Sequence, residues 1–295
     1  MHYRQVFFIR AHLFPEFISD TIDTIRYYST TDSLIVVTVD RNKDIERVLK
    51  PLYPSVKFFT SSSNCGWGGG LWLLFCEALC WLTRTENVSF DYLWNVDYDW
   101  IAIAPAFDSY FTKKFSEDKN IGQIGRHSPN SAYWTRRVKQ RLRSIKEQFA
   151  AHGKPFPRNY KPGEHVAGAC SVFKGSCASQ MLSMGLLDRP FRDFGLMYKI
   201  ADDPMLSMMT NAAGYRFCEM GEKAYIKWRL DEDYKKLQSR GFLCFHPTKL
   251  TPGNTSYSAE KEMVCRNYFR ELRGQSPIVL LPDSPLMGKP NSVTC

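Results

Sequence analysis

The residues with the clearest chemical potential are two aspartates, Asp97 and Asp99, which follow the apolar run YLWNV. In an extended chain, side chains at positions i and i+2 lie on the same side, so both carboxylates can face one ligand. Paired carboxylates are hard oxygen ligands that suit Mg²⁺ or Mn²⁺, and such an ion completes its shell with phosphate oxygens and water. The pattern therefore predicts a metal-diphosphate site. An ordinary solvated turn is the alternative that so short a motif leaves open.

The strand that carries these aspartates belongs to an alternating series of elements. The segments QVFFIR, SLIVVTVD and SVKFFTS are typical of short strands, and FPEFISDTIDTIRYY between the first two is typical of an amphipathic helix. This order predicts an α/β fold with a mostly parallel central sheet that is flanked by helices. Ligands of such open sheets bind beyond the carboxyl ends of the strands, which is where Asp97 and Asp99 fall.

Length and composition fit one large α/β domain or two small ones. The chain has 295 residues, of which 44% are hydrophobic, so it can bury a substantial core. We expect a single Rossmann-like domain over residues 1–275 and a proline-rich tail over residues 276–295. The longest apolar stretch, residues 71–82, is too short for a membrane span and contains Glu77, so it is predicted as a core helix and not a transmembrane segment.

The cysteines and the N-terminus indicate where the protein works. Nine cysteines occur without a CxxC pair, mostly in apolar surroundings, which is typical of buried free thiols in a reducing compartment. The early apolar run is interrupted by Arg10 and His12, which is unlike a signal peptide. We therefore expect an intracellular, cytoplasmic protein that can also lie at the periphery of a membrane.

The positive charge is concentrated in residues 126–161, where ten Lys and Arg side chains accompany a single acid, Glu147. Within this segment YWTRRVKQRLRSIKEQFAAHG has apolar residues at helical spacing, which predicts an amphipathic helix with a basic face that ends at Gly153. Two interpretations stay open, a solvated helix face and a surface that binds anions.

Five motifs occur in an order that resembles the GT-A family of nucleotide-sugar-dependent glycosyltransferases. They are SNCGWGGG, the D-x-D strand end, HVAGACSVFKG, ADDPMLSMMTNAAGY and GFLCFHPTK. The resemblance extends from about Val6 to His246. It implies a single GT-A-like domain in which the basic segment, residues 126–161, is an insertion on the acceptor side.

For the donor, the resemblance implies that the ends of the first strands and the glycine-rich loop hold the base and ribose of a nucleoside-diphosphate sugar. The residues concerned are Arg10, Asp40, Asn64 and Gly66, together with Asp97. The loop GWGGG before a helix also offers free backbone N–H groups, although a plain flexible connection has the same composition.

For the metal, the resemblance implies that Asp97, Asp99 and His246 hold Mn²⁺ or Mg²⁺, since imidazole is an acceptable ligand beside carboxylates. A satisfied core or surface histidine is the alternative for His246. On the acceptor side it implies a close backbone approach at Gly168 and an acidic pair, Asp202 and Asp203.

The resemblance further implies that Asp203 is the general base of an inverting enzyme, although the first acid of the family motif is here Asp202 instead of glutamate. Because Pro204 follows, the sequence also predicts Asp203 as the N-cap of a helix with the proline at its first position. The two roles are compatible. Capping would lower the pKa of Asp203, and burial would have to offset that effect.

We therefore expect a metal-dependent glycosyltransferase of glycan biosynthesis that transfers a hexosyl or pentosyl group, most simply from a UDP-sugar, to a hydroxyl of a glycan or glycoconjugate. Arg136, Arg137 and Arg141 are predicted to face an anionic or membrane-associated acceptor. A nucleotidyltransferase is the first alternative, but the N-terminus lacks the expected triphosphate loop. A basic nucleic-acid-binding protein is the second; it would explain the arginines and leave the acidic motifs unexplained.

Overall fold

The structure is a computed structural model, and it describes residues 1–11, 14–40, 44–63, 65, 68–129, 132–158, 160–227, 233–248 and 258–279. The predicted tail, residues 276–295, therefore lies mostly outside the described residues. The division of the chain at residue 275 stays a prediction.

A seven-stranded sheet forms the centre of the protein, in the order β3-β2-β1-β4-β7-β6-β8. Its strands are β1 (His2–Ala11), β2 (Ser33–Val39), β3 (Lys57–Thr60), β4 (Ser89–Asp97), β6 (Ile121–Ser128), β7 (His165–Lys174) and β8 (Arg216–Glu219). Strand β7 is antiparallel to both of its neighbours, and the other four pairings are parallel. The predicted mostly parallel sheet is confirmed. We call the edge where β1, β2 and β4 end and β7 begins the C-terminal edge.

Helices cover both faces of this sheet, as predicted. They are α1 (Pro15–Tyr28), α2 (Ile45–Leu49), α3 (Gly69–Cys80), α4 (Phe107–Thr112), α5 (Lys114–Glu117), α6 (Ala132–Ala151), α7 (Gly175–Ser183), α8 (Phe194–Tyr198), α9 (Asp202–Ala212) and α10 (Ala259–Leu272). Along β1, Phe7 and Ile9 pack into one core cluster and Val6 and Phe8 into another. A strand with apolar side chains on both faces is what a doubly covered sheet requires.

A second, three-stranded sheet lies beside the C-terminal edge and was not predicted from the sequence. It consists of β5 (Ile101–Ala102), β9 (Ala224–Ile226) and β10 (Cys244–His246) in the order β5-β10-β9. Because β5 begins two residues after Asp99 and β10 ends at His246, their antiparallel pairing brings distant parts of the chain together.

The predicted core helix of residues 71–82 is α3, which continues into a π-helical turn at Trp81–Thr85. The eight cysteines among the described residues are all free thiols. Of the helices in the described ranges, none combines the length and the apolar character needed to cross a membrane. The cytoplasmic location stays a prediction.

Candidate active site

Strand register places the first candidate residues side by side at the C-terminal edge. In the parallel pair of β1 and β4, Arg10 lies opposite Asp97. On the other side of β1, Ala11 pairs with Val39, the last residue of β2, so Asp40 follows at the same edge. The side chains gathered there come from strand ends, where the backbone is free to turn towards a ligand.

Asp97, Asp99 and His246 form a candidate metal site. The Nε2 atom of His246 lies 3.3 Å from Oδ2 of Asp99 and 3.8 Å from Oδ2 of Asp97. One potential ligand atom from each residue lies within 4.8 Å of the others. Two carboxylates and one imidazole match the ligand preference of Mn²⁺, and the carboxylates alone that of Mg²⁺. The predicted set of three ligands is thus brought together.

The other ring nitrogen of His246 fixes the tautomer that a metal requires. Nδ1 lies 3.1 Å from the backbone carbonyl oxygen of Lys227, which can only accept a hydrogen bond, so Nδ1 carries the proton. In the neutral ring the lone pair is then on Nε2, which faces the two carboxylates. An outer hydrogen bond of this kind is the usual way in which a protein orients a metal-binding histidine.

One expectation for the aspartates is wrong in detail, and the burial of Asp99 speaks against the alternative of a solvated turn. Strand β4 ends at Asp97, and the chain then turns, because the N–H of Trp100 donates to the carbonyl of Asp97 over 3.0 Å. The carboxylates therefore meet across a turn instead of along an extended strand. Asp99 is also fully buried, unlike a residue of an ordinary solvated turn, and the side chain of Asp97 is 22% exposed. Burial of Asp99 is explained by the second sheet, which covers the turn.

Arg10 connects the metal site to the predicted acid pair. Its Nη2 lies 2.7 Å from Oδ1 of Asp97, and its Nη1 donates a short hydrogen bond to Oδ2 of Asp202. The residue is 3% exposed, and its Nε has no hydrogen-bond partner among the described residues. A buried guanidinium between two carboxylates holds both in place.

Asp202 and Asp203 begin helix α9 and are both buried. The predicted capping role of Asp203 is wrong: Ala201 is the N-cap, and Asp203 lies in the first turn of the helix. Its carboxylate accepts a hydrogen bond from the backbone N–H of Gly168 on β7 instead. A Cβ atom at Gly168 would overlap both carboxylates, so glycine is required where β7 passes the acid pair.

The environment raises the pKa of both acids. Burial raises the pKa of Asp203 well above its usual value, and the neighbouring carboxylate of Asp202 raises it further, whereas the Gly168 N–H acts in the opposite direction. Burial also raises the pKa of Asp202, against the effect of Arg10. Burial therefore more than offsets the hydrogen bond to Asp203, as its predicted role as a base requires.

The remaining donor candidates are placed only in part. Asp40 is 9% exposed and follows β2 at the C-terminal edge. Asn64 and Gly66 lie outside the described residues. Donor binding by Arg10, Asp40, Asn64, Gly66 and Asp97 stays a prediction.

The predicted basic helix is α6, which follows β6 after that strand reaches the same edge of the sheet. Val138, Ile145 and Phe149 face the core, and Arg136 and Arg141 are exposed. Gly153, with φ of 63°, lies just beyond the helix end, as predicted. The guanidinium of Arg137 lies 5.3 Å from the ring centre of Tyr133. The basic side of α6 is thus turned to solvent.

His165 is a candidate that the sequence analysis missed. Its Nδ1 lies 2.7 Å from the carbonyl oxygen of Gly163, so Nδ1 donates and the lone pair of the neutral ring is on Nε2. The residue is 3% exposed, and burial lowers its pKa although Asp202 nearby opposes this effect. The available signal was its position three residues before Gly168.

No protein-family model matches the sequence, and no curated protein matches it. Among solved structures, a mannosyltransferase from Pyrobaculum calidifontis in complex with GDP-Man and Mn²⁺ is 14% identical, over 97% of this chain and 68% of that one, with a TM-score of 0.45. Mouse xyloside xylosyltransferase 1 in its apo form is 10% identical, over 83% of this chain and 97% of that one, with a TM-score of 0.44.

A third match is glucosyl-3-phosphoglycerate synthase from Mycobacterium tuberculosis in complex with Mn²⁺, UDP-glucose and phosphoglyceric acid. It is 12% identical, over 72% of this chain and 80% of that one, with a TM-score of 0.37. These three solved glycosyltransferases are proteins to which the chain is similar. At these identities and TM-scores, the function has to be argued from the residues of this chain.

Proposed function

We propose that this protein is a metal-dependent glycosyltransferase that moves a sugar from a nucleoside diphosphate to a hydroxyl group. The observation that carries the proposal is one continuous set of contacts at the C-terminal edge. It runs from the three potential metal ligands through Arg10 to the buried acid pair, Asp202 and Asp203. A cation site beside a buried base is what transfer from a diphosphate to a hydroxyl requires.

In the proposed reaction, Asp97, Asp99 and His246 hold the divalent ion, which when bound neutralises charge on the departing nucleoside diphosphate. Asp203 accepts the proton of the acceptor hydroxyl while that oxygen forms a bond to the anomeric carbon. The bond from the anomeric carbon to the diphosphate oxygen breaks, and both of its electrons leave with the diphosphate. One displacement of this kind inverts the anomeric centre.

Asp203 suits this role because its environment favours the protonated form. A carboxylate with a raised pKa is a stronger base than an ordinary one, so it takes up the proton of the hydroxyl more readily. The N–H of Gly168 fixes one oxygen of the group. The other oxygen is then the one we assign to the acceptor.

The first experiment is a thermal-shift panel with and without Mn²⁺. Nucleoside diphosphates of all common bases, including UDP and GDP, are expected to raise the unfolding temperature only with the metal, because bound ligand stabilises the folded state. Mass-spectrometric detection of slow donor hydrolysis across UDP- and GDP-sugars then identifies the donor. Stabilisation by triphosphates alone would indicate a nucleotidyltransferase, and stabilisation by oligonucleotides a nucleic-acid-binding protein.

We expect Gly168→Ala to abolish most transfer activity. The new Cβ would overlap the carboxylates of Asp202 and Asp203, so the acid pair must shift or β7 must move away from α9. Overpacking of this kind costs about 1–3 kcal/mol of unfolding free energy. Transfer rates and thermal unfolding measure the two effects. A variant with unchanged transfer would show that the close approach at Gly168 is irrelevant to the reaction.

We also propose that the basic side of α6 faces an anionic acceptor. Arg136 and Arg141 are exposed, Arg137 is partly buried, and all three lie on the element that follows β6 at the site edge. Replacing Arg136, Arg137 and Arg141 by glutamate should raise the acceptor KM and reduce its dependence on salt, because a screened long-range attraction is lost. Donor hydrolysis should be nearly unchanged.

A matched control separates local charge from net charge. The control replaces three other exposed cationic residues near α10, Lys235, Lys236 and Arg240, by glutamate. This variant changes the net charge by the same amount. These three changes should leave the acceptor KM near that of the wild type. If both triple variants behave alike, α6 has no specific acceptor role. If the α6 variant instead loses donor hydrolysis, the helix contacts the phosphates.

A further inference from the structure

Hydrogen bonds to successive carbonyl groups fix the backbone of the turn that carries the two aspartates. The carbonyl of Asp97 accepts from the N–H of Trp100 over 3.0 Å. The carbonyl of Tyr98 accepts from Thr21 Oγ1 and from Arg266 Nη2, each over 2.6 Å. The carbonyl of Asp99 accepts from the N–H of Thr248 over 2.9 Å, and the hydroxyl oxygen of Thr248 lies 3.1 Å from the same carbonyl oxygen. We call residues 97–100 the metal loop.

Arg266 reaches the metal loop from α10, which lies beyond the part of the sequence that carries the family motifs. The residue is fully buried. Its Nε donates to Glu262 over 2.9 Å, and its Nη1 donates to Asp20 of α1 over 2.9 Å. Two carboxylates therefore fix the plane of the guanidinium and aim Nη2 at the carbonyl of Tyr98.

Thr248 joins the same network to His246. It lies two residues after the histidine, and its hydroxyl oxygen is 2.8 Å from Oε1 of Glu262 as well as close to the carbonyl of Asp99. The strand end that supplies the imidazole and the loop that supplies the carboxylates are thus tied to one helix. Few of these contacts involve solvent, because Thr248, Glu262 and Arg266 are each at most 1% exposed.

We propose that α10 is the positioning element of the metal site, acting through Arg266 and Thr248. Neither residue contacts the potential ligand atoms; both fix the backbone from which Asp97, Asp99 and His246 project. A loop held in one conformation before the ion arrives loses less entropy when the ion binds, so affinity rises without any new ligand. This inference rests on the proposed function for the role of the metal, but not on the sugar or the acceptor.

The test compares Arg266→Lys with Arg273→Lys. Both arginines lie at the same end of the chain and both donate to Asp20, but only Arg266 contacts the metal loop. Lysine keeps the charge beside Asp20 and cannot supply the guanidinium fork to Glu262, Asp20 and Tyr98 together. The readout is Mn²⁺ affinity without nucleotide, from the electron paramagnetic resonance signal of free Mn²⁺, with thermal unfolding of the metal-free protein alongside.

Arg266→Lys is expected to weaken Mn²⁺ binding by about 10- to 100-fold, as for other groups that orient metal ligands. Arg273→Lys should leave the Mn²⁺ affinity near that of the wild type, even where its unfolding temperature falls as much. Equal affinities of Arg266→Lys and the wild type would overturn the proposal. So would an equal loss of affinity in the two variants, because it would follow from general stability alone.

Thr248→Val provides a second variant if Arg266→Lys does not fold. It keeps the size of the side chain and the N–H bond to Asp99, and it removes the hydroxyl that links the metal loop to Glu262. Weaker Mn²⁺ binding supports the proposal, and wild-type binding overturns it. A wild-type protein that binds no Mn²⁺ would instead show that the proposed function itself is wrong.

Discussion

Asp99→Asn is expected to abolish Mn²⁺-dependent binding of nucleoside diphosphate while the protein still folds. The change removes one of two negative ligands from a set of three, and the neutral amide is a much weaker ligand for a hard cation. Asparagine has the size of aspartate, and its side-chain N–H can donate to the Nε2 lone pair of His246, so the buried site is neither emptied nor overpacked. Isothermal titration with UDP or GDP, with and without Mn²⁺, measures the loss.

The control for this experiment is Asp91→Asn. Asp91 lies on the same strand, but its side chain is 51% exposed and its partner is His2, at the opposite end of β4. The same chemical change should therefore leave metal-dependent binding intact. His246→Gln should fall between the two, because water can replace one neutral ligand. Undiminished Mn²⁺-dependent binding by Asp99→Asn would rule out the metal centre, whatever the behaviour of the other variants.

The part of the site that could be predicted is the part built from strand ends. An apolar strand followed by carboxylates indicates both the edge of the sheet and its chemistry, and parallel pairing then brings Arg10 beside Asp97. The order of the later motifs likewise led to His246 and to the acid pair. These predictions needed only the element order and the resemblance.

The contacts that place those residues could not be predicted. Strands β5 and β9 have two or three residues each, too short for a pattern of alternation to indicate them. Their pairing with β10 forms the second sheet beside Asp99, which is fully buried, unlike a residue of a solvated turn. Arg266 lies in the segment RNYFRELRG, where a charged residue is normally solvated. Only the tertiary structure shows that Asp20, far away in sequence, lies within hydrogen-bonding distance of its side chain.

The N-cap prediction was wrong for a similar reason. A local rule assigned Asp203 to the helix N-terminus because an aspartate before proline commonly caps. In the structure a long-range donor, the N–H of Gly168, binds the carboxylate, and the helix begins two residues earlier than predicted, at Asp202. A tertiary contact thus replaced the local one, and it ties the acid to β7 instead of to its own helix.

Asp203→Asn is expected to reduce transfer by about 10²- to 10⁴-fold, the loss typical of removing a general base. The amide oxygen can still accept from Gly168, and donor affinity should survive because Asp203 contacts none of the three potential metal ligands in the described part of the chain. Steady-state kinetics separate the two quantities. Transfer near the wild-type rate would leave Asp203 a structural residue, and loss of donor binding would mean that its role was misassigned.

The pH dependence gives a second, independent readout of the same residue. Burial raises the pKa of Asp203 above its usual value of 3.8, so the folded protein holds this proton more tightly than the unfolded chain. The free energy of unfolding must then fall as the pH rises from the ordinary carboxyl pKa through the raised one. In this window the folded protein must either bind a proton that the unfolded chain has released or bury an unfavourable charge. Transfer must rise over the same window, because only the carboxylate can act as the base.

Asp203→Asn should therefore reduce both the loss of stability and the rise in transfer rate that accompany an increase in pH. In the metal-free protein, the unfolding temperature of the variant should rise relative to that of the wild type as the pH increases. The residual transfer rate of the variant should no longer depend on the ionisation of Asp203. Asp202 stays in place in both proteins, and because its charge acts on the pKa of Asp203, the comparison reports the titration of the interacting pair of carboxyl groups. A stability difference that is constant with pH would mean that Asp203 is ionised over the whole window and has no raised pKa, and the base would then have to be sought elsewhere at the C-terminal edge, beginning with His165.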